Sequence, residues 1–482
     1  MEIRYQDIGL ITGPTVFFMM LLVGENQSVM AEDAWRVAAV GLWMAIWWAT
    51  EAIPVPVTAF LPIITFPLLG ISSIAATTQA YANPIIYLFL GAFILALAVE
   101  RWLLHKRIAL ALLEITGTDG KWLIGGFMLV AALLSMWMTN TSTTMMLMPI
   151  ALSVATVIVN SNQTLTEKQT SDFKTAMLLG LAFAATIGGL STLVGTPPNA
   201  LFAAFLQDNY DITISFANWM LVGVPVMLIM LPLAWWVLTH LSYKVNVPAS
   251  SAVQDHLKSM KTELGDISTA ERRVAMLFLI VVVMWILRRP ISAWLDITFL
   301  TDTGIAMTAA LLLFLLPSGD KEQPQLMTWD CVQKLPWGVL VLFGGGLSLA
   351  SAVSKSGLAE WLGQSLAPLS GLGIFVLIIA ATGLVIFLTE LTSNVATSAT
   401  FLPVVAAVAI ELGVSPILLC VPITLAASCA FMLPVATPPN AIIFASGALT
   451  IPQMVRAGVV LNVIGMILLS IVSIWLAPAV LG

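Results

Sequence analysis

Charge is what this chain has least of. Only 9% of its 482 residues are Asp, Glu, Lys or Arg, against 59% hydrophobic, and that ratio excludes an ordinary soluble enzyme. The charges are also bunched, with none between Trp122 and Thr166 and none between Thr175 and Gln207. The net charge of −6 comes without a run of either sign, so nothing points to nucleic acid or to a polybasic membrane anchor. Cysteine and histidine number three each. Cys331, Cys420 and Cys429 are not spaced as a disulfide framework, and His105, His240 and His256 are too scattered for a zinc site. There is no His-Glu-x-x-His, Gly-x-Ser-x-Gly or Walker sequence, which leaves hydrolysis and primary pumping unsupported.

What is abundant is apolar sequence in blocks of membrane length, since about 20 residues of helix cross a bilayer. Spans are expected near 9–24, 34–50, 53–70, 84–100, 175–207, 218–240, 273–288, 303–317, 337–352, 416–446 and 456–478, eleven in all. Glu2 and Asp7 make a poor positive leader, so the first block reads as a retained helix rather than a signal peptide. Two more apolar blocks, 122–160 and 371–410, carry polar clusters at their centres. Each is either a hairpin entering from one side or two minimal spans, and both choices add an even number of crossings. With the N-terminus inside, fifteen of the nineteen basic residues fall on the cytoplasmic side, leaving Arg36, Arg288, Arg289 and Lys355 outside. That is the positive-inside pattern, and it places the C-terminus outside. The polar stretch from Ser242 to Arg273 reads as a solvated cytoplasmic connector with some amphipathic helix, lying between two halves.

The halves repeat. Thr139-Asn140-Thr141 and Ser393-Asn394-Val395 stand at an offset of 254 (394 − 140), as do Pro149 and Pro403. Gly195-Thr196-Pro197-Pro198-Asn199 and Ala436-Thr437-Pro438-Pro439-Asn440 follow at an offset of 241 (437 − 196). Five expected spans separate the two polar clusters, so the second copy is inverted. Inverted repeats with interrupted apolar segments in matching places are the mark of secondary transporters with midplane sites. Each Thr-Pro-Pro breaks a helix, because proline cannot continue an incoming helix but suits the first turn of a new one, with threonine as N-cap. At such a break one half-helix presents free amides suited to an anion and the other free carbonyls suited to a small cation. The oxygens of Thr139, Asn140, Thr141, Ser393 and Asn394, with carbonyls near Ser135, Gly195, Thr389, Thr392 and Ala436, suit a hard cation such as Na⁺. Glu390 is ionisable at membrane depth; its counterpart is Met136, so it reads as a support that tunes the site's charge. Trp43, Trp47, Trp48, Trp235 and Trp236 read as interfacial or packing aromatics, and Gly344-Gly345-Gly346 as a close helix contact.

These motifs resemble the divalent anion/sodium symporter family, including its bacterial INDY-type members, and the similarity runs from about Trp35 (Trp47-Trp48-Ala-Thr-Glu51-Ala-Ile-Pro54-Val-Pro) to the end. The resemblance implies an all-α polytopic protein of the cytoplasmic (inner) membrane, with about eleven transmembrane helices and two re-entrant hairpins whose tips carry the asparagine motifs. It implies a homodimer with scaffold helices at 1–108 and 273–365, a transport domain at 109–240 and 366–482 moving as an elevator, and a connector at 241–272. One Na⁺ would be held by Ser135, Thr139, Asn140 and Gly195, another by Thr389, Thr392, Asn394 and Ala436. The carboxylates of a C4 dicarboxylate would meet Asn140, Thr141, Asn394, Val395, Thr437 and Pro438. Two positions depart from the family's paired Ser-Asn-Thr. Thr139 keeps the hydroxyl of the serine it replaces, whereas Val395 deletes that of a threonine, which leaves citrate or another anion as the alternative to a C4 dicarboxylate.

Overall fold

A computed structural model describes residues 5–24, 27–162, 165–366, 371 and 373–481. The chain is helical throughout these residues. The first half runs α1 (Tyr5–Gly24), α2 (Glu32–Thr50), α3 (Val55–Thr58), α4 (Leu61–Leu68), α5 (Ile74–Gln79), α6 (Pro84–Arg101) and α7 (Leu104–Leu113), then α8 (Gly120–Ser135), α9 (Asn140–Ser161), α10 (Glu167–Gly189), α11 (Pro197–Tyr210) and α12 (Phe216–Trp236). After the connector helix α13 (Ser251–Glu263) come α14 (Thr269–Leu295), α15 (Asp302–Leu315), α16 (Trp329–Val332), α17 (Trp337–Lys355) and α18 (Leu358–Leu366). The chain closes with α19 (Ile374–Thr389), α20 (Asn394–Glu411), α21 (Ile417–Ala426), α22 (Pro438–Ala445), α23 (Ile451–Trp475) and α24 (Ala477–Leu481).

Among the described residues eight helices are long and apolar enough to cross a membrane. Their outer surfaces are apolar as well. Phe18, Leu22, Met276, Leu279, Leu311 and Leu315 are all more than half exposed, a surface that only a hydrocarbon solvent tolerates at this extent. Three of the eleven expected spans are not continuous helices. The block 53–70 is two short helices, α3 and α4, because Pro54, Pro56 and Pro62 each remove an amide donor. The blocks 175–207 and 416–446 are split into α10/α11 and α21/α22 at the Thr-Pro-Pro sequences, as the repeat requires. Glu51 ends α2 in the left-handed conformation, which makes the turn expected before Pro54.

The block 122–160 turns back on itself. Gly120 at the start of α8 donates its amide to the Val247 carbonyl (2.9 Å), and Ser161 at the end of α9 meets Ser250 hydroxyl to hydroxyl (2.8 Å). Val247 and Ser250 are three residues apart, at most about 11 Å of extended chain. The two arms therefore begin and end together, with residues 136–139 as the tip. In the second half α19 and α20 flank the equivalent tip, Glu390–Ser393.

The connector is not a free linker. Val253 and Leu257 of α13 are buried, α13 packs on α7 and α9, and His256 Nε2 lies 2.8 Å from the Ser153 hydroxyl. Glycine contacts brace the other helices: a methyl group on Gly345 would lie 2.6 Å from the Ala59 carbonyl oxygen, and one on Gly344 would strike the Tyr81 ring, the close approach expected of the triple glycine.

Candidate functional site

The tips and breaks of the two halves meet crosswise. α22, from the second break, packs on α9, which carries the first tip; α11, from the first break, packs on α20, which carries the second. The Thr196 hydroxyl of one break lies 3.3 Å from the Ser428 hydroxyl of the other, and Phe183 meets Phe431 edge to face at 5.1 Å. The start of α11 thus lies against the second break, and α9 and α20 each pack on the half-helix of the other half.

In the first half the Ser135 hydroxyl donates to Asn140 Oδ1. A methyl group built on Gly189 would lie 2.6 Å from that same oxygen and 3.0 Å from the Gly195 carbonyl oxygen. One hydroxyl, one carboxamide oxygen and one backbone carbonyl are therefore gathered where α10 ends. In the second half the Thr389 hydroxyl contacts Asn394 Oδ1 (3.0 Å) and the Ala427 carbonyl (2.8 Å). Ser135 and Thr389 are equivalent by the 254 offset (389 − 135), so the hydroxyl–carboxamide pair is repeated, while the carbonyl beside it differs, Gly195 in the first half and Ala427 in the second.

The remaining expected residues make mostly local contacts. Thr139 caps α9, its hydroxyl accepting from the Ser142 amide at 3.1 Å, so that oxygen is engaged within its own helix. Thr392 bonds the Leu388 carbonyl (3.0 Å) and the Thr397 hydroxyl (2.7 Å). Thr437 caps α22, accepting from the Asn440 amide at 3.3 Å, whereas Thr196 leaves α11 without a side-chain cap and turns to Ser428 instead. Ala436 is buried, its amide donating to the Leu433 carbonyl at 3.3 Å. Thr141 and Asn394 are half-buried, Val395 is buried and Pro438 is exposed.

Sequence reasoning passed over the groups that hold the breaks open. The Asn199 side-chain amide donates to the carbonyls of Gly189 (3.2 Å), Leu190 (3.3 Å) and Thr192 (2.8 Å). Asn440 does the same to Ala430 (3.2 Å) and Leu433 (3.0 Å), which are the positions of Gly189 and Thr192 shifted by 241. Freed carbonyls at membrane depth cost several kcal/mol each, roughly, unless they find such donors. The repetition of asparagine in both Pro-Pro-Asn sequences was the available signal. Thr192 gave none: its hydroxyl donates to the Met136 carbonyl and accepts from the Gly195 amide (3.0 Å), joining tip to break.

Comparison with known proteins agrees with this geometry. The profile of the sodium:sulfate symporter transmembrane region matches residues 8–481. The chain is 39% identical over 480 residues to the sodium-dependent dicarboxylate transporter SdcS of Staphylococcus saprophyticus, covering 99% of this chain and 92% of that one. It is 40% identical over 484 residues to SdcS of Staphylococcus aureus strain USA300, with the same coverage. Two solved structures share the fold at low identity: MtrF of Neisseria gonorrhoeae (TM-score 0.58, 12% identity, 85% of this chain and 84% of that one) and the YdaH transporter of Alcanivorax borkumensis (TM-score 0.57, 15% identity, 85% and 88%). The chain is a multi-pass membrane transporter, not an enzyme, and it belongs to the divalent anion/sodium symporter family.

Proposed function

We propose that this protein couples Na⁺ entry to the uptake of C4 dicarboxylates such as succinate, fumarate and malate, by an elevator movement in the inner membrane. The observation that carries the reading is the duplicated oxygen cluster, Ser135 with Asn140 and Gly195, and Thr389 with Asn394. Each is built only of hydroxyl, carboxamide and carbonyl oxygens, the donor set of a hard monovalent cation. The relatives named above are sodium-dependent dicarboxylate transporters, which supports the same pair of substrates here.

The chemistry follows from what the clusters lack. None of the residues assigned to them is Lys, Arg or His, so a dianion entering between the tips gains no fixed positive partner. Sodium must bind first. On arrival it displaces the Ser135 proton from Asn140 Oδ1, so that both oxygens turn lone pairs to the ion. Thr139, Thr392 and the Gly195 and Ala436 carbonyls complete the two cages. The carboxylates are then met by the side-chain amides of Asn140 and Asn394, by Thr141 and Thr437, and by the N-termini of α9, α11, α20 and α22 beside Val395 and Pro438. Since only the loaded unit has its charges compensated, only it moves readily through the low-dielectric scaffold, and coupling is obligatory.

In this reading 1–108 and 273–365 form the dimerising scaffold, 109–240 and 366–482 the moving unit with two re-entrant hairpins, and 241–272 the cytoplasmic tether. The N-terminus is cytoplasmic and the C-terminus external, as the basic residues dictate. Val395, apolar and buried where the family places a hydroxyl, favours a second reading in which citrate or sulfate is preferred on the same machinery.

Uptake of labelled succinate into proteoliposomes, with and without an inward Na⁺ gradient and with citrate or sulfate as competitor, tests both. Gradient-driven accumulation is expected. Uptake indifferent to Na⁺ but dependent on internal succinate would replace symport with exchange.

A further inference from the structure

The two halves exchange roles at two pairs of equivalent positions. In the first, the polar side chain sits on the break: the Thr192 hydroxyl meets the backbone of Met136 in the tip. In the second the roles are exchanged, because Leu433 replaces Thr192 (433 − 192 = 241) and Glu390 replaces Met136 (390 − 136 = 254). The Glu390 carboxylate now sits on the tip and meets the backbone of the break. Its Oε1 accepts from the amides of Phe431 (2.8 Å) and Met432 (2.9 Å), and its Oε2 from Met432 (3.1 Å) and Leu433 (2.9 Å). The Asn462 side-chain amide on α23 donates to Oε1 at 2.7 Å, and Asn462 is itself fully buried.

All of these partners are donors. A protonated carboxyl would turn its own hydrogen against one of them, whereas an ionised carboxylate accepts from all. Donors of this kind stabilise the charge without cancelling it. Glu390 is 3% exposed and directly follows Thr389, whose hydroxyl lies in the second oxygen cluster. The first cluster has Met136 at the same place and no charge.

We propose that Glu390 is a positioning residue for the second cation site: it locks the second tip to the break and to α23, and it gives the Thr389–Asn394 cluster a fixed negative charge that the Ser135–Asn140 cluster lacks, so that the second cluster is the tighter sodium site. The proposal rests on the sodium-symport reading. Two copies of one motif thereby bind the same ion with different strength, and loading acquires an order, second site before first.

The test is the Na⁺ dependence of succinate uptake by the full-length protein in proteoliposomes, together with Na⁺-dependent thermal stabilisation of the purified protein, for wild type, Glu390→Gln and Glu390→Asp. Glu390→Gln is expected to raise the Na⁺ concentration for half-maximal uptake and stabilisation about tenfold or more, the loss of one nearby charge in a partly polar interior. Its succinate KM at saturating Na⁺ should stay within about threefold. Glu390→Asp keeps the charge on a shorter stem and should remain within about threefold of wild type in Na⁺ dependence, even if its melting temperature falls. An unchanged Na⁺ dependence in Glu390→Gln would reduce the carboxylate to a structural tie, and a Glu390→Asp protein as impaired as Glu390→Gln would show that charge is not what matters. Should Glu390→Gln not fold, Glu390→Asp decides alone: a tenfold rise at an unchanged melting temperature overturns the proposal. A wild-type protein without any Na⁺ dependence would overturn the symport reading and this proposal with it, which separates the two failures.

Discussion

The indole of Trp137, in the first tip, lies parallel to that of Trp285 on α14, with 4° between the planes and 6.4 Å between centroids. Phe216, the first residue of α12, stacks on both, at 6.0 Å from Trp137 and 4.3 Å from Trp285, while Phe278 meets Trp137 edge-on at 5.5 Å. The tip that leads into Thr139 and Asn140 is thus braced by rings from α12 of its own half and α14 of the other. Each aromatic pair contributes roughly 0.5–1.5 kcal/mol beyond simple burial. Trp137→Ala is expected to destabilise the protein by about 2–4 kcal/mol, read as a lower melting temperature in detergent, with Trp137→Phe recovering most of it. Under the elevator reading the stack joins moving unit to scaffold and must part in each cycle, so the alanine variant should also change the rate of exchange between states. Identical transport rates for the two variants would count against that.

Asn140→Ala and Asn394→Ala test the duplicated clusters. Each removes the oxygen to which a buried hydroxyl, Ser135 or Thr389, is bonded. Thr389 keeps the Ala427 carbonyl as a partner, so the stability cost, roughly 1–3 kcal/mol for an unsatisfied buried group, falls on Asn140→Ala, while either variant removes a proposed ion ligand and should weaken Na⁺ affinity about fivefold or more. Na⁺ titration of uptake for each variant measures this. Wild-type Na⁺ dependence in both would remove the clusters from the ion pathway.

The glycines at the first break make a steric prediction. A methyl on Gly188 would sit 2.2 Å from the Ala132 carbonyl oxygen, and one on Gly195 would sit 2.5 Å from that of Gly189. Backbone cannot yield as a side chain can, so Gly188→Ala or Gly195→Ala should push α10 from α8 or spread the break, costing about 1–3 kcal/mol and abolishing uptake. Gly41→Ala is the contrast. Its methyl would rest 3.6 Å from Leu349 Cδ1 within α2, and the gain in helix propensity should be neutral to stabilising, up to about 1 kcal/mol. Melting curves of the three variants decide it.

Val395→Thr restores the hydroxyl that the paired motif otherwise carries. Val395 is 7% exposed in the first turn of α20, one residue from Asn394. A hydroxyl there that reaches a carboxylate adds roughly 1.5–3 kcal/mol, the worth of a hydrogen bond to a charged group. Succinate affinity should rise about tenfold relative to citrate. Competition between the two anions in wild type and variant is the measurement, and an unchanged ratio would mean that position 395 does not face the substrate.

Much of this protein was legible before any coordinates. Length and charge scarcity decide for a membrane protein because a buried charge in hydrocarbon is costly wherever it falls along a span. The matched asparagines and the two Thr-Pro-Pro-Asn sequences announce a repeat with broken helices, since proline acts through local geometry that any fold must obey. Asn140 and Asn394 were nominated from the repeat, Ser135 and Thr389 as their partners from the family resemblance, and the fold brings each pair together.

What the sequence left open depends on partners distant along the chain. That 122–160 starts and finishes at the connector was decided by Gly120 and Ser161 meeting Val247 and Ser250. The connector itself read as solvated because its apolar stripe is only Val253 and Leu257, too little to signal burial until α7 and α9 supply the other face. Thr192, Trp137 and Asn462 each act on residues far along the chain: Thr192 on Met136, 56 positions away, Asn462 on Glu390, 72 away, and Trp137 on Trp285, 148 away (285 − 137). Local rules such as periodicity, proline and capping act within a few residues and can be read in order. The balance of charges and donors around Glu390 exists only where tip, break and α23 are packed together, and that is a property of the tertiary structure alone.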